Sequence, residues 1–130
     1  MDVSINWFGV VLAGLAAFVI GGIWYAALFA KSWQRLVGLS DKELAKGMPK
    51  VFFGSFILSL VMALNLAFFI GNEGASFGLF AGLATGFGWI AMALGVNYLF
   101  ERRSFKLYLI NASYNVITLA LMGLIIGATQ

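Results

Sequence analysis

Two reactive residue types are missing from this chain of 130 residues, which contains no cysteine and no histidine. Without cysteine, disulfide bonds, thiolate metal sites and cysteine nucleophiles are excluded. Without histidine, the commonest metal ligand and general base is also absent. The five carboxylates lie at the edges of apolar stretches or between them. The sequence therefore predicts a protein with no enzymatic activity, no metal site and no cofactor.

Charge is scarce as well. Charged residues make up 10% of the chain and hydrophobic residues 62%, with a mean hydropathy of +0.98, whereas a soluble domain carries about 25% charged residues. The single proline and sixteen glycines are typical of closely packed membrane helices. The net charge of +3 comes from basic residues clustered at helix ends. It therefore indicates membrane orientation and no nucleic-acid partner.

Four apolar stretches without Asp, Glu, Lys or Arg divide the sequence. They cover residues 6–29, 51–71, 77–100 and 107–128, and about 20 apolar residues suffice to cross the hydrocarbon core of a bilayer. The first stretch follows Asp2 and precedes Lys31 and Arg35, the reverse of the charge order in a cleaved signal peptide. We therefore predict an all-α, multi-pass membrane protein whose four transmembrane helices form one domain over residues 1–130.

A helix-start signal lies in the polar stretch between the first two spans. Ser40 and Glu43 have the spacing of a capping box, in which the serine caps a free backbone N–H group and the glutamate reaches back. This spacing predicts a short amphipathic segment that ends near Gly47. Its basic side chains can face headgroups while its apolar ones dip into the membrane interface. The stretch is either a plain basic loop or a dedicated site for a lipid or a protein partner.

All eight lysines and arginines lie in two loops, residues 30–50 and 101–106. The N-terminus, the loop around Glu73 and the C-terminus contain none, and basic loops stay on the cytoplasmic side. The distribution predicts a protein of the plasma (inner) membrane with both termini outside, on the periplasmic side. We expect contact with anionic lipids from Lys31, Arg35, Lys42, Lys46, Arg102 and Arg103.

Small residues recur at four-residue spacing on three of the spans. Such residues let helix backbones approach closely, and in lipid they mark packing faces. We predict helix packing through Ala13, Ala17 and Gly21, through Gly78, Gly82 and Gly86, and through Gly123 and Gly127. Because these faces outnumber what one small bundle needs, we expect the protein to assemble as a homo-oligomer through them.

Uncharged polar residues form a further pattern within the spans: Ser59, Asn65, Trp89, Asn97, Asn111, Asn115 and Thr118. These side chains either bond between helices or line a seam through which a small channel or facilitator passes a neutral molecule or an ion. We expect Trp89 to be buried near mid-membrane, with a neighbouring asparagine as acceptor for its indole N–H. The spans lack ionisable acidic and basic residues, which disfavours a proton-coupled carrier. The sequence identifies no small-molecule ligand.

A weak internal similarity links the ends of the first and third spans. Residues Tyr25–Trp33 (YAALFAKSW) are similar to Tyr98–Phe105 (YLFERRSF), and each stretch closes a helix and opens a basic loop. The two halves of the chain are either parallel repeats of two helices each, an architecture found in transporters, or similar here by chance.

The sequence resembles the DUF1761 family of small four-helix membrane proteins over nearly its whole length. The resemblance is carried by Gly22–Tyr25 (GIWY), Phe29–Trp33 (FAKSW), Leu36–Ser40 (LVGLS), Gly88–Trp89, Ile110–Tyr114 (INASY) and Leu121–Gly123 (LMG). The chain departs from the family pattern at Ala26–Ala27, where the family has Ser-Pro. The family has no assigned biochemical activity, so the resemblance implies topology and a set of positions to watch: Trp24, Tyr25, Lys31, Trp33, Trp89 and Asn111.

Overall fold

The computed structural model describes residues 3–130, so Asp2 lies outside the described part. This part is helical and contains no strand. Its helices are α1 (Trp7–Leu28), α2 (Ala30–Val37), α3 (Asp41–Lys46), α4 (Met48–Ile70), α5 (Ala75–Glu101) and α6 (Phe105–Thr129). Four of them, α1, α4, α5 and α6, are long and apolar enough to cross a membrane, which confirms the predicted all-α, four-span fold. The largest difference in bounds is at α4, which starts early because Pro49 is accommodated in its first turn.

The segment between α1 and α4 forms the capped helix that its sequence predicts. Ser40 Oγ accepts a hydrogen bond from the Glu43 N–H at 3.1 Å, and Glu43 Oε1 accepts one from the Ser40 N–H at 3.4 Å. The resulting helix, α3, is followed by Gly47. α2 ends at Val37 and is capped by Gly38, whose φ of 75° favours a residue without a side chain.

The last helix, α6, is the centre of the bundle. α1, α4 and α5 all pack against it, and its contact with α5 is the most extensive one. Of its apolar stretch 44% is buried, compared with 22–28% for the other three long helices. The position of α6 therefore determines which side of each of the other spans faces inward.

The contact between α5 and α6 is made backbone to backbone. A Cβ atom on Gly78 would overlap the Gly123 carbonyl oxygen, and one on Gly82 would overlap the Leu119 carbonyl oxygen. A Cβ atom on Gly86 would lie 2.9 Å from the Cα atom of Val116. Glycine at these positions therefore permits an approach that any larger residue would prevent.

The other predicted small residues also face helices of this chain. Ala13 and Ala17 of α1 are 0% and 1% exposed, and Gly21 lies against the Tyr114 hydroxyl. A Cβ atom on Gly127 would overlap a backbone carbonyl oxygen at the start of α5. The homo-oligomer stays a prediction, but these faces are already occupied within the chain, so a second copy would have to use another surface.

The hydrophobic core lies toward the end of the bundle that carries both termini, here called the terminal end. Its buried members include Val10 near the start of α1, Ile70 at the end of α4 and Ile126 near the end of α6. The opposite end, which carries the loops 30–50 and 101–106, is here called the basic end. Toward the basic end, polar and aromatic side chains replace the aliphatic ones between the helices.

Two of the long helices contain a π-helical segment, Ile23–Leu28 in α1 and Gly86–Ala91 in α5. In such a segment each N–H group bonds to the carbonyl five residues earlier, so a turn takes up one extra residue. The Phe29 N–H donates to the Trp24 carbonyl oxygen in this way, at 2.9 Å. The sequence pattern predicted neither segment, because both are as apolar as the α-helix around them.

We expect Gly82→Ala to destabilise the bundle, because the new methyl group would overlap the Leu119 carbonyl oxygen and push α5 away from α6. Overpacking of this kind costs about 1–3 kcal/mol. Thermal unfolding in mild detergent, followed by circular dichroism, measures the loss. Gly54→Ala on α4 is the matched control, since nothing lies within 4 Å of a Cβ atom there. Equal unfolding temperatures for the two variants would contradict the close contact.

Candidate functional site

Asn111 of α6 joins three helices near the basic end of the bundle. Its Oδ1 accepts a hydrogen bond from the Tyr25 hydroxyl of α1 at 2.7 Å, and its Nδ2 donates to the Tyr98 hydroxyl oxygen of α5 at 2.7 Å. α1 and α5 each pack against α6 rather than extensively against each other. The Asn111 amide therefore bridges two helices that otherwise have little direct contact.

Tyr108, three residues before Asn111, docks on α5. Its hydroxyl donates to the Ala91 carbonyl oxygen at 2.8 Å. Gly95 stands one turn further along α5, where a Cβ atom would lie 3.3 Å from the Tyr108 hydroxyl oxygen. The glycine thus leaves a notch for the phenol ring, and the bond reaches the last residue of the π-helical segment of α5.

Tyr114, three residues after Asn111, docks on α1 in the same way. Its hydroxyl donates to the Ala17 carbonyl oxygen at 3.3 Å. Gly21 stands one turn further along α1, and a Cβ atom there would again lie 3.3 Å from the tyrosine hydroxyl oxygen. Side chains three apart on a helix lie on the same side but diverge. The two tyrosines can therefore hold one helix on each side of Asn111.

The two receiving helices carry the same residue types in the same order. Each has an alanine, then a glycine, then a tyrosine: Ala17, Gly21 and Tyr25 in α1, and Ala91, Gly95 and Tyr98 in α5. All four tyrosines of the chain thus take part in one arrangement around an asparagine. We call it the tyrosine–asparagine hub, defined by Tyr25, Tyr98, Tyr108, Asn111 and Tyr114.

This similarity relates α1 to α5 and extends the one between Tyr25–Trp33 and Tyr98–Phe105. It does not reach the following spans in the same way, because α6 lies at the centre of the bundle and α4 at its side. A repeat of two helices therefore stays a prediction, whereas the equivalence of α1 and α5 toward α6 is a feature of the structure.

Aromatic residues surround the hub on the α1 side. The ring of Tyr25 lies edge-on to Trp33 and to Tyr114, with centroids 5.3 and 5.1 Å apart. The Trp24 indole N–H donates to the Ile110 carbonyl oxygen of α6 at 3.0 Å. These contacts hold the π-helical segment of α1 and the start of α2 against the central helix.

An exposed ion pair borders the hub on the α5 side. Arg103 Nε donates to Glu101 Oε1 at 2.8 Å, and the guanidinium carbon lies 5.6 Å from the centre of the Tyr98 ring. This hydrogen bond and the charge of the carboxylate raise the pKa of Arg103 above its ordinary value. Because both side chains are open to solvent, the pair orders the loop more than it stabilises the fold.

The residues predicted as a polar seam differ in exposure and in hydrogen-bond partners. Ser59 and Thr118 are buried, at 7% and 2% exposed, and the Thr118 hydroxyl has no hydrogen-bond partner within residues 3–130. Asn115 Nδ2 donates to the Asn111 carbonyl oxygen of its own helix at 2.8 Å. Asn65 and Asn97 are exposed on the outer surfaces of α4 and α5. The structure thus joins Asn115 to Asn111 and leaves Asn65 and Asn97 on the outer surfaces.

Trp89 is exposed, contrary to the burial that its place in an apolar span predicts. Its side chain is 75% exposed, because the buried Gly86 and Ala91 occupy the inward side of this segment of α5. The tryptophan that does bond between helices is Trp24. Hydropathy could not distinguish the two, since both lie in apolar spans.

The basic residues predicted to contact lipid fall into three places. Lys31 and Arg35 of α2 line a cleft that α3 completes. Lys42 and Lys46 are exposed on α3. In the second basic loop, Arg103 pairs with Glu101, and Arg102 Nη1 donates to the Phe100 carbonyl oxygen at 2.7 Å.

The hub tyrosines of α6 were not among the predicted site residues. A signal for them exists, because Tyr108, Asn111 and Tyr114 are spaced three residues apart and so lie on one side of the helix. What the spacing cannot show is that one tyrosine meets α5 and the other α1. That assignment depends on the order of the helices around α6.

We expect Asn111→Leu to destabilise the bundle, because it leaves the Tyr25 and Tyr98 hydroxyls without their partner. Hydrogen bonds between membrane helices contribute about 0.6 kcal/mol on average, so the loss of two should cost about 1–2 kcal/mol. Equilibrium unfolding by a denaturing detergent measures it. Asn65→Leu is the matched control, since the Asn65 amide donates only to the Val61 carbonyl oxygen of its own helix.

A double-variant cycle separates the bond from general effects of the substitution. Tyr25→Phe should cost less in the Asn111→Leu background than in the wild type, because the partner is already absent. Strictly additive losses would show that the two side chains do not interact.

Comparison with known proteins identifies the family of the chain. The family model described as "Protein of unknown function (DUF1761)" matches residues 8–127. No curated protein and no solved structure matches the chain. Residues that carry the resemblance in the sequence, among them Tyr25, Asn111 and Tyr114, meet in the hub. The chain therefore belongs to the DUF1761 family of proteins of unknown function.

Proposed function

We propose that the protein is an integral membrane protein without enzymatic activity that works as a homo-oligomer in a plasma membrane of bacterial type. The four apolar helices support the membrane assignment, and the lack of cysteine and histidine supports a non-enzymatic role. Because the predicted small-residue faces are occupied within the chain, we propose another surface for the contact between copies. It is the outer face of α5, defined by Ala84, Gly88, Trp89, Val96 and Asn97.

The observation that carries the proposal is the position of Trp89. This side chain lies near the middle of α5 and is 75% exposed. Tryptophan of membrane proteins is enriched at the interfaces, where the indole N–H meets water or headgroups. Lipid tails offer no acceptor at mid-membrane, and an unpaired N–H group there is costly. A second protein chain can supply both the acceptor and apolar contact.

Two further features favour helix packing on the same face. Asn97 is exposed and makes no side-chain hydrogen bond within residues 3–130. Ala84 and Gly88, four residues apart, are exposed as well, with open space around Gly88. Small residues at this spacing let two helices approach closely, and polar amides bond across such contacts.

A second copy of this chain fits the face well. Copies in one membrane share their orientation, so a two-fold axis along the membrane normal brings each residue to its own counterpart at equal depth. An amide has both a donor and an acceptor, and two Asn97 side chains can therefore bond reciprocally. The alternative of a small channel gains no comparable support, because Asn111 has a partner at each end of its amide.

Single-cysteine variants test the contact without background, because the chain has no cysteine. We expect Val96→Cys to give a disulfide-linked dimer when native membranes are oxidised with copper phenanthroline, since the two-fold contact brings position 96 of each copy close to the other. Val61→Cys on α4 is the matched control, since Val96 and Val61 are 54% and 53% exposed. Asn97→Leu should lower the yield from Val96→Cys, and Asn65→Leu should not.

Equal yields of disulfide-linked dimer from Val96→Cys and Val61→Cys would contradict the proposed contact through α5. If native mass spectrometry of the wild type in mild detergent also gave only monomer, the proposal of a homo-oligomer itself would be refuted.

We also propose that both termini lie outside and both basic loops inside. All eight lysines and arginines lie in the loops 30–50 and 101–106. A lysine or arginine at a helix centre would cost about 2.5–3.5 kcal/mol on the insertion scale. The distribution of basic residues in short loops is the main determinant of orientation.

We expect a cysteine in place of Glu73 to be labelled by a membrane-impermeant maleimide on intact cells, because it lies in the turn between α4 and α5, on the outside. A cysteine in place of Lys42 should be labelled only after the cells are opened. Labelling of position 42 on intact cells would contradict the proposed orientation. The same two variants in opened cells serve as the control for accessibility, since both positions are exposed.

A further inference from the structure

α2 and α3 border an open cleft of about 450 Å³ on the surface at the basic end of the bundle. Gln34 Nε2 of α2 donates to Asp41 Oδ1 of α3 at 2.7 Å, which fixes the two short helices relative to each other. Lys31 and Arg35 line the α2 side of the cleft, and Glu43 lines the α3 side. The cleft thus lies in the loop 30–50, whose sequence fits either a plain basic loop or a dedicated site.

The cleft lies at the level of the membrane boundary. α2 begins at Ala30, directly after the span that ends at Leu28, and α3 leads directly into the span that begins at Met48. Trp33 packs against Tyr25 of the hub, which ties α2 to the bundle. A segment held between two span ends in this way lies among the headgroups of the lipids.

The walls of the cleft present charges of both signs. Lys31 and Arg35 stand one turn apart on α2, and both are exposed. On the opposite wall, Glu43 Oε1 accepts from the Ser40 hydroxyl at 2.9 Å. The second carboxylate oxygen of Glu43 makes no hydrogen bond within residues 3–130. The cleft therefore offers two cations and one free anionic acceptor to a ligand.

We propose that this cleft binds the headgroup of a zwitterionic phospholipid that carries a primary ammonium, that is, a phosphoethanolamine headgroup. The phosphate pairs with Lys31 and Arg35, and the ammonium donates to the free carboxylate oxygen of Glu43. The assignment does not depend on the homo-oligomer. It does not depend on which leaflet holds the basic end either.

Two related lipids match the cleft less well. A phosphatidylglycerol headgroup satisfies the cations through its phosphate, but it ends in an uncharged glycerol and offers no ammonium to pair with the Glu43 carboxylate. A phosphatidylcholine headgroup has a quaternary ammonium that cannot donate a hydrogen bond. Such ammonium groups are recognised by aromatic cages, and the residues that line this cleft include no aromatic one.

Native mass spectrometry of the full chain in mild detergent tests the choice of lipid. Phosphatidylethanolamine, phosphatidylglycerol and phosphatidylcholine with identical acyl chains are added in turn, and we expect the first to reach the highest occupancy. Glu43→Gln should abolish the preference over phosphatidylglycerol while keeping α3 intact, since glutamine also closes a capping box. The double variant K31Q/R35Q should bind phosphatidylethanolamine about 30-fold more weakly, because each basic residue near a membrane surface contributes about fivefold.

The double variant K42Q/K46Q is the matched control, because it removes the same charge from α3 outside the cleft. The proposal fails if this pair weakens binding as much as K31Q/R35Q does, or if Glu43→Gln leaves the lipid preference unchanged. It also fails if soluble glycerophosphoethanolamine displaces the lipid at equal concentration, because the ligand would then be a free phosphoester. The control for folding is the unfolding temperature. If every variant unfolds at the same temperature as the wild type, the differences in lipid binding come from the cleft and not from the fold.

Discussion

The backbone contact between α5 and α6 is the constraint on which the rest of the structure depends. Gly78 and Gly82 bring the two helix axes so close that carbonyl oxygens lie where side chains would otherwise be. In lipid, where apolar side chains gain little by leaving the bilayer, such close packing is a main source of helix association. It also makes α6 the helix that α1 and α4 must share, and it brings Tyr108 within reach of the Ala91 carbonyl oxygen.

The two ends of the bundle differ in what fills the space between the helices. At the terminal end, aliphatic side chains such as Ile70 and Ile126 fill it through dispersion contacts, and Asn6 and Gln130 add hydrogen bonds to backbone carbonyl groups of α6 and α4. At the basic end, hydrogen bonds from Trp24 and the hub tyrosines replace them. Hydroxyl and amide groups have partners there, so their cost in a medium of low polarity is offset.

Local signals made the fold readable from the sequence, whereas the hub depends on tertiary structure. The absence of charge over four long stretches was enough to predict the four spans, and the spacing of Ser40 and Glu43 was enough to predict α3. Both effects act within one helix. Asn65 and Asn111 look alike in sequence, but one bonds to its own helix and the other bridges two helices. The prediction that Trp89 is buried was wrong, because mean hydropathy does not reveal which face of α5 meets α6.

The π-helical segment of α1 follows from the geometry of the hub. The glycine of each notch is followed by a tyrosine that must reach Asn111, four residues on in α1 (Gly21 to Tyr25) but three residues on in α5 (Gly95 to Tyr98). In a regular α-helix one additional residue turns the following side chain by about 100°, which would direct Tyr25 away from α6. A π-helical turn takes up an extra residue without that rotation, and the π-helical segment Ile23–Leu28 contains Tyr25. The π-helical segment of α1 thus lets Tyr25 reach Asn111 while Gly21 stays against the Tyr114 ring.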